Sequence, residues 1–296
     1  VLAVHVIKLA GPVRTEEQRR LPFRYIRLEG AYLMTPLEYF EASSEGEAWH
    51  LHMPTEIHGA FGGVTGGALA AAAIAVARTV KPNRIAAGVD IHFLRGLSTV
   101  QATAQITILS SGRSITILRV EFRDDAGNPT TEARVVLAAP ESLRTDIQAT
   151  NRDTGLLGPP PSDLYENAKP WRKPTGVEIP IIDTTHPRAA RVGASIATAV
   201  TVPWDVTGDG SEGACLAADL SVGPPVDAAI PRGTWVPHPN PDLSLRFLGP
   251  TEGRDLVAIA LCREISGGLA TVETEVWQQQ SLVATGISTS LLLSQS

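Results

Sequence analysis

Two long stretches of alternating apolar and polar residues dominate the chain. Gln101 to Ala138 reads QATAQITILSSGRSITILRVEFRDDAGNPTTEARVVLA, and Asp255 to Leu293 reads DLVAIALCREISGGLATVETEVWQQQSLVATGISTSLLL. Each is rich in β-branched residues and is broken by a Gly turn, at Ser111-Gly112-Arg113 and at Ser266-Gly267-Gly268. Period-two alternation bounded by such turns predicts an antiparallel meander with one buried face. The last strand of each meander is expected over Thr131–Ala138 and Leu282–Leu293. A helix is predicted ahead of each meander. Gly66–Val80 (GGALAAAAIAVARTV) is small and apolar nearly all round, the pattern of a helix buried on most sides. Glu212–Val222 (EGACLAADLSV) is also Ala-rich but carries an interior acid, Asp219. Gly223-Pro224-Pro225 reads as its stop. Ahead of the helices, Glu47–Met53 and Arg191–Pro203 are predicted to be the first strand of each unit.

The two halves repeat one another. IHFLRGL (Ile91–Leu97) and LRFLGPT (Leu245–Thr251) align with Phe93 on Phe247, each ahead of its meander. This self-similarity predicts two copies of one unit. The expected boundaries are an extension and lead-in over 1–44, a first unit over 45–140, a linker over 141–187 and a second unit over 188–296. The linker carries Pro159-Pro160-Pro161 and many turn residues, and is expected to wrap the surface.

Composition narrows the function classes. With 43% hydrophobic and 19% charged residues the chain can bury a sizeable core, and it lacks the sustained apolar run of a membrane span. A net charge of −6 argues against a general affinity for nucleic acid or anionic lipid. Two cysteines, Cys215 and Cys262, argue against a disulfide framework or thiolate metal site and fit a reducing, cytoplasmic setting. VLAVHVIKLA at the start has no basic segment ahead of it, so a secretory signal is not expected. The opening Val fits a non-standard start or a fragment, and residues 11–25 are expected to be poorly ordered.

Among candidate functional residues, Asp219 carries most. A carboxylate inside an Ala-Leu-Ala helix is desolvated unless a partner waits, and desolvation lifts its pKa toward the range of a general base. The competing reading is a solvent-facing or Arg-paired Asp. Asn240 stands between prolines in His238-Pro239-Asn240-Pro241-Asp242, where turn chemistry alone accounts for an Asn. Ser288 alternates with Ser290 on one strand face, with Thr285 or Thr289 as the alternatives if the register differs. Gly62-Gly63-Val64-Thr65-Gly66-Gly67 opens the first helix. Its free N–H groups can face a developing oxyanion, or its glycines can serve close helix–sheet packing. Thr65, Gly66, Gly67 and the upstream His58 are the candidate substrate-binding residues, His58 having a solvated loop position as its competing reading. His50 and His52 alternate along a strand without a spacing that makes a metal site, so no metal or other cofactor is expected. No G-x-S-x-G elbow and no P-loop occur. Cys215, four residues before Asp219, reads as a small buried hydrophobe rather than a nucleophile.

The segments FGGVTGGALAAAA (Phe61–Ala73), HFLRG (His92–Gly96), SSGRS (Ser110–Ser114), LAADL (Leu216–Leu220) and PDLSLRFLGP (Pro241–Pro250) resemble the type II, TesB-like acyl-CoA thioesterases over about Trp49 to Leu293. The resemblance implies an α+β double hotdog: two antiparallel sheets, each wrapped around a central Ala-rich helix, joined in one chain. It further implies a water held by a helix Asp, a Thr and a Gln. Asp219 falls on that Asp, while Asn240 stands at the position of the Thr and Ser288 at that of the Gln. The expected activity is hydrolysis of acyl-CoA to free acid and CoA by water activated at Asp219, with no metal and no covalent intermediate. The acyl chain is expected in an apolar slot between the two helices. The alternative is a non-catalytic acyl or acyl-CoA binding protein on the same fold. An enoyl-CoA hydratase is disfavoured because no D-x-x-x-x-H-like segment occurs. The first helix has only Ala where a counterpart of Asp219 would lie, so one site per chain is expected, and a dimer or larger assembly is also an expectation.

Overall fold

The computed structural model describes residues 34–147, 157–161, 163–172, 178–231 and 236–294. The predicted poorly ordered stretch, residues 11–25, lies outside the described residues. The chain enters on a four-residue helix α1 (Pro36–Tyr39), closed by a capping box between Thr35 and Glu38. A hairpin follows, β1 (Ser43–Glu45) and β2 (Ala48–His52), turning at Gly46, whose φ of 61° suits glycine. Helix α2 spans Gly66–Val80, as its pattern predicts. Strands β3 (Ile85–Phe93), β4 (Gln101–Ser111), β5 (Ile115–Arg123) and β6 (Pro129–Ala138) complete the first half.

The second half repeats this order. Between the halves lie α3 (Leu164–Asn167), a two-residue strand β7 (Lys169–Pro170) and α4 (Pro180–Thr185). The hairpin β8 (Arg188–Val192) and β9 (Ser195–Thr201), helices α5 (Ser211–Leu220) and α6 (Gly223–Ala229), and strands β10 (Asp242–Phe247), β11 (Asp255–Ser266), β12 (Leu269–Gln278) and β13 (Ser281–Leu291) follow.

Two expectations need correcting. Arg191–Pro203 is not one strand, because Gly193 at φ 60° turns it into a hairpin, matching the Gly46 turn of the first half. Gly223-Pro224-Pro225 ends α5 but also begins α6. Proline is tolerated in a first turn, where its missing N–H would have no partner anyway.

All strands pair antiparallel, in the order β1-β2-β4-β5-β6-β3-β10-β13-β12-β11-β9-β8-β7. The two sheets expected are thus continuous. They join where the matching strands of the two copies meet, Ser244 opposite Asp90 and Leu245 opposite Val89. Equivalent strands lying antiparallel are what a two-fold relation between the halves requires.

Helices α2 and α5 pack against each other inside this sheet. One core contains Ala68 to Ile74, Val76 and Ala77 of α2, Ala214 to Ala218 of α5, and inward residues of both halves such as Val89, Leu118, Val135, Leu245 and Val276. The contact is close because its residues are small. A Cβ on Gly67 would stand 2.6 Å from the Cys215 carbonyl oxygen and 2.7 Å from the Leu216 Cα. Leu164 and Ala168 cover the sheet's other face over Ala197, Ala199, Val257 and Trp277. No helix among the described residues is long and apolar enough to cross a membrane.

Candidate active site

The packing of α5 on α2 brings Asp219 to the first turn of α2. Its carboxylate accepts the Asn240 side-chain amide at 2.9 Å, and the backbone N–H groups of Gly67 and Gly66 stand beside it. The first four N–H groups of an α-helix have no partner within it, and here a carboxylate from the second helix stands beside two of them, where the helix dipole favours negative charge. The residue just before the helix, Thr65, makes no side-chain capping bond of its own. Glycine is required at both positions, because a Cβ on Gly66 would meet Asp219 Oδ1 at 2.9 Å and one on Gly67 the Asp219 Cβ at 2.8 Å.

Burial raises the Asp219 pKa above the usual carboxylate range, and the Gly67 N–H, the Asn240 amide and the Gly66 N–H oppose the rise. Asp219 as a whole residue is part-buried, packed against the first turn of α2 and against Asn240. Asn240 sits two residues ahead of β10, and Pro241 beside it accepts the Phe93 N–H at 2.8 Å, tying the Asn loop to β3. Asn240 Nδ2 is thus aimed by two strands and a proline-bounded turn.

The other expected residues are placed differently. Ser288 is buried on β13 and donates its hydroxyl to the Asp242 carbonyl at 2.6 Å, while Asp242 Oδ1 accepts the Thr289 N–H at 2.7 Å. The hydroxyl proton is therefore committed to the backbone two residues after Asn240, and Ser288 makes no hydrogen bond to Asp219 or Asn240. The N–H groups of Gly66 and Gly67, expected to face a substrate oxyanion, stand beside the Asp219 carboxylate. Thr65 is buried, with an Oγ1 that has no hydrogen-bond partner. His58 is not a solvated loop residue. Its ring is buried, its Nε2 has no hydrogen-bond partner, and its carbonyl accepts the Ile181 N–H of α4 at 3.1 Å. Cys215 is fully buried, and burial holds its thiol well above the usual range, which leaves it a small hydrophobe. The apolar slot expected between the helices is closed by the Gly67 contact with Cys215 and Leu216. Exposed apolar groups lie instead on the two loops joined by the 2.8 Å bond from Val64 N–H to the Leu97 carbonyl: Phe61, 64% exposed, and Leu94, 57% exposed.

Sequence reasoning missed two features. The Phe93 ring lies over Gly66, its Cζ only 2.3 Å from where a Cβ would stand. At the other end of the helix pair, Arg78 binds Glu212 Oε1 at 2.7 Å, Ser211 Oγ at 3.1 Å and the Thr207 carbonyl at 3.1 Å, and also Asp209. Burial lifts Glu212 to about 7 despite Arg78. The signal was present: Arg78 is the single charged residue in α2, and Asp209 and Glu212 flank the start of α5. So the two antiparallel helices are fastened at both ends by charge, one end of which is the Asp219 site.

Residues 52–138 match the family model for the acyl-CoA thioesterase N-terminal domain. A candidate thioesterase II from Thermobifida fusca YX shares the fold with a TM-score of 0.71 at 14% identity, covering 89% of this chain and 99% of that one. The tesB protein of Mycobacterium avium subspecies paratuberculosis gives a TM-score of 0.68 at 17% identity, with 88% and 98% covered. A hot dog fold protein of unknown function from Alicyclobacillus acidocaldarius gives 0.63 at 18% identity, with 88% and 98% covered. The chain has the double hotdog fold. The fold read from the sequence is borne out, and the family resemblance finds its match over residues 52–138. No curated protein matches the chain in sequence.

Proposed function

We propose that this chain is a TesB-like thioester hydrolase acting on acyl-CoA, with Asp219 as general base. The observation that carries the reading is a carboxylate raised in pKa at the joint of two helices and hydrogen-bonded by Asn240 at 2.9 Å. Asp219 takes a proton from a water as the water's oxygen attacks the thioester carbonyl carbon. The C–S bond then breaks, and the proton returns from Asp219 to the departing CoA sulfur, giving free acid and CoA. Asn240 holds the carboxylate through Nδ2 and leaves its own Oδ1 to accept from the water. Ser288 serves by fixing the start of β10 rather than by touching water. Thr65 and His58 line the same end of α2, and the acyl chain runs over Phe61 and Leu94. General-base assistance of this kind supplies about 10²–10⁴ in rate.

The second reading, an acyl-CoA binding protein without turnover, is favoured by one observation: a negative carboxylate, Asp219, stands beside the Gly66 and Gly67 N–H groups where an oxyanion would have to bind. A panel of acyl-CoAs with free-thiol detection separates the two. Thiol release that scales with enzyme supports hydrolysis, and saturable binding with no release across the panel overturns it.

A further inference from the structure

On the face of the sheet turned away from α5, a cavity of about 330 Å³ opens over β10, β13 and β12. This is within the size range of small-molecule sites. β12 alternates: Val272, Thr274 and Val276 turn toward the helices, and Glu273 and Glu275 turn outward. Cross-strand register sets Glu275 beside Thr285 and Thr285 beside Arg246, and one row along it sets Glu273 beside Ile287 and Ile287 beside Ser244. Leu157 closes one side.

The charges of this cavity do not cancel. Arg246 is neutralised by Asp90, with contacts of 2.8 and 3.2 Å, and also donates to the Leu245 carbonyl at 2.8 Å. Glu273 is neutralised by Arg263. Glu275 is 4% exposed, its Oε2 has no hydrogen-bond partner, and no cationic group among the described residues pairs with it. The Trp277 indole N–H stands beside the carboxyl without closing a well-aligned bond. Burial raises the Glu275 pKa, with the neighbouring Glu273 charge adding to it. A buried carboxylate oxygen with no donor is costly unless something supplies one.

We propose that this cavity is a second ligand site, separate from Asp219, that takes a small organic cation: a primary ammonium donated to Glu275 Oε2 and to Glu273, with a short apolar body against Ile287 and Leu157. The site does not depend on the thioesterase reading, since none of its residues touches Asp219 or Asn240.

The test is calorimetric titration of the full chain with benzylammonium and with its neutral counterpart, benzyl alcohol. Benzylammonium should bind saturably, and benzyl alcohol at least about tenfold more weakly, the loss of one charge-assisted hydrogen bond. Glu275→Gln should weaken benzylammonium by a similar factor while melting within a few degrees of the parent and leaving thioester hydrolysis unchanged. Thr285→Lys, which tethers an ammonium opposite Glu275, should abolish benzylammonium binding and keeps the test open if the first variant folds poorly. No saturable binding of benzylammonium, equal binding of benzyl alcohol, or a Thr285→Lys chain that binds as the parent does would each overturn the proposal.

Discussion

Replacing Gly67 by Ala tests whether the helix pair really meets as closely as described. In an unconstrained helix interior this change stabilises by about 0.5–1 kcal/mol. Here the new methyl would stand 2.6 Å from the Cys215 carbonyl oxygen, 2.7 Å from the Leu216 Cα and 2.8 Å from the Asp219 Cβ. Those distances fall roughly 0.7–0.9 Å short of the ~3.5 Å at which carbon contacts become favourable. Two of the three atoms are backbone, so no rotamer relieves them. α5, buried against β11 and β12, must move as a body. Overpacking of this kind costs about 1–3 kcal/mol. After the helix gain is subtracted, the variant should be less stable by about 1–2 kcal/mol, a fall in Tm of about 2–8 °C for a chain of this size. The displaced helix carries Asp219, and a shift approaching 1 Å at a reacting group can cost about 10²-fold in turnover. Thermal melting followed by circular dichroism, with kcat at saturating acyl-CoA, reads both effects. A variant that melts at or above the parent temperature and turns over normally would refute the close helix contact and the placement of Asp219 that rests on it.

Asn240→Ala removes a hydrogen bond to a charged group, about 1.5–3 kcal/mol, so kcat should fall roughly tenfold to a hundredfold. Because the Asn240 amide lowers the Asp219 pKa, the acid limb of the pH–rate profile should also move to higher pH. Ser288→Ala should cost about 1 kcal/mol of stability and little turnover, since its hydroxyl serves the backbone; a collapse of kcat with unchanged melting would restore it to the water site. Glu212 titrates at about 7 in the fold against 4.5 normally. The native state therefore holds a proton that the unfolded chain has released, and stability should fall as pH rises from about 4.5 to 7, by up to about 3 kcal/mol from this group. Glu212→Gln should flatten that slope in denaturant titrations, and an unchanged slope would assign the pH dependence to other groups.

The repeat, the meanders and the buried Ala helix were legible because each follows from local pattern: alternation, glycine turns and an apolar helix face. Gly193 and Pro224 were misread for the same reason. Whether a glycine bends a strand back on itself, or a proline that ends one helix starts the next, depends on where the neighbouring chain lies. Asp219 was legible as an acid inside an apolar helix, and Asn240 through its place in the resemblance. What the sequence could not show was the partner helix. The Gly66 and Gly67 N–H groups were expected to face substrate, yet they face a carboxylate more than a hundred residues away. Ser288 was read from its strand face, but its hydroxyl is drawn to the Asp242 carbonyl on the adjoining strand. The Arg78 cluster went unread because its members belong to two helices whose antiparallel contact is set only by the tertiary fold.

The central claim is that Asp219 activates water for thioester hydrolysis. The direct measurement is thiol release by Asp219→Asn across several acyl-CoA lengths, beside substrate binding by the same variant. The account predicts a loss of about 10²–10⁴ in kcat with the fold and acyl-CoA binding retained. Hydrolysis at the parent rate by a correctly folded Asp219→Asn chain would contradict it.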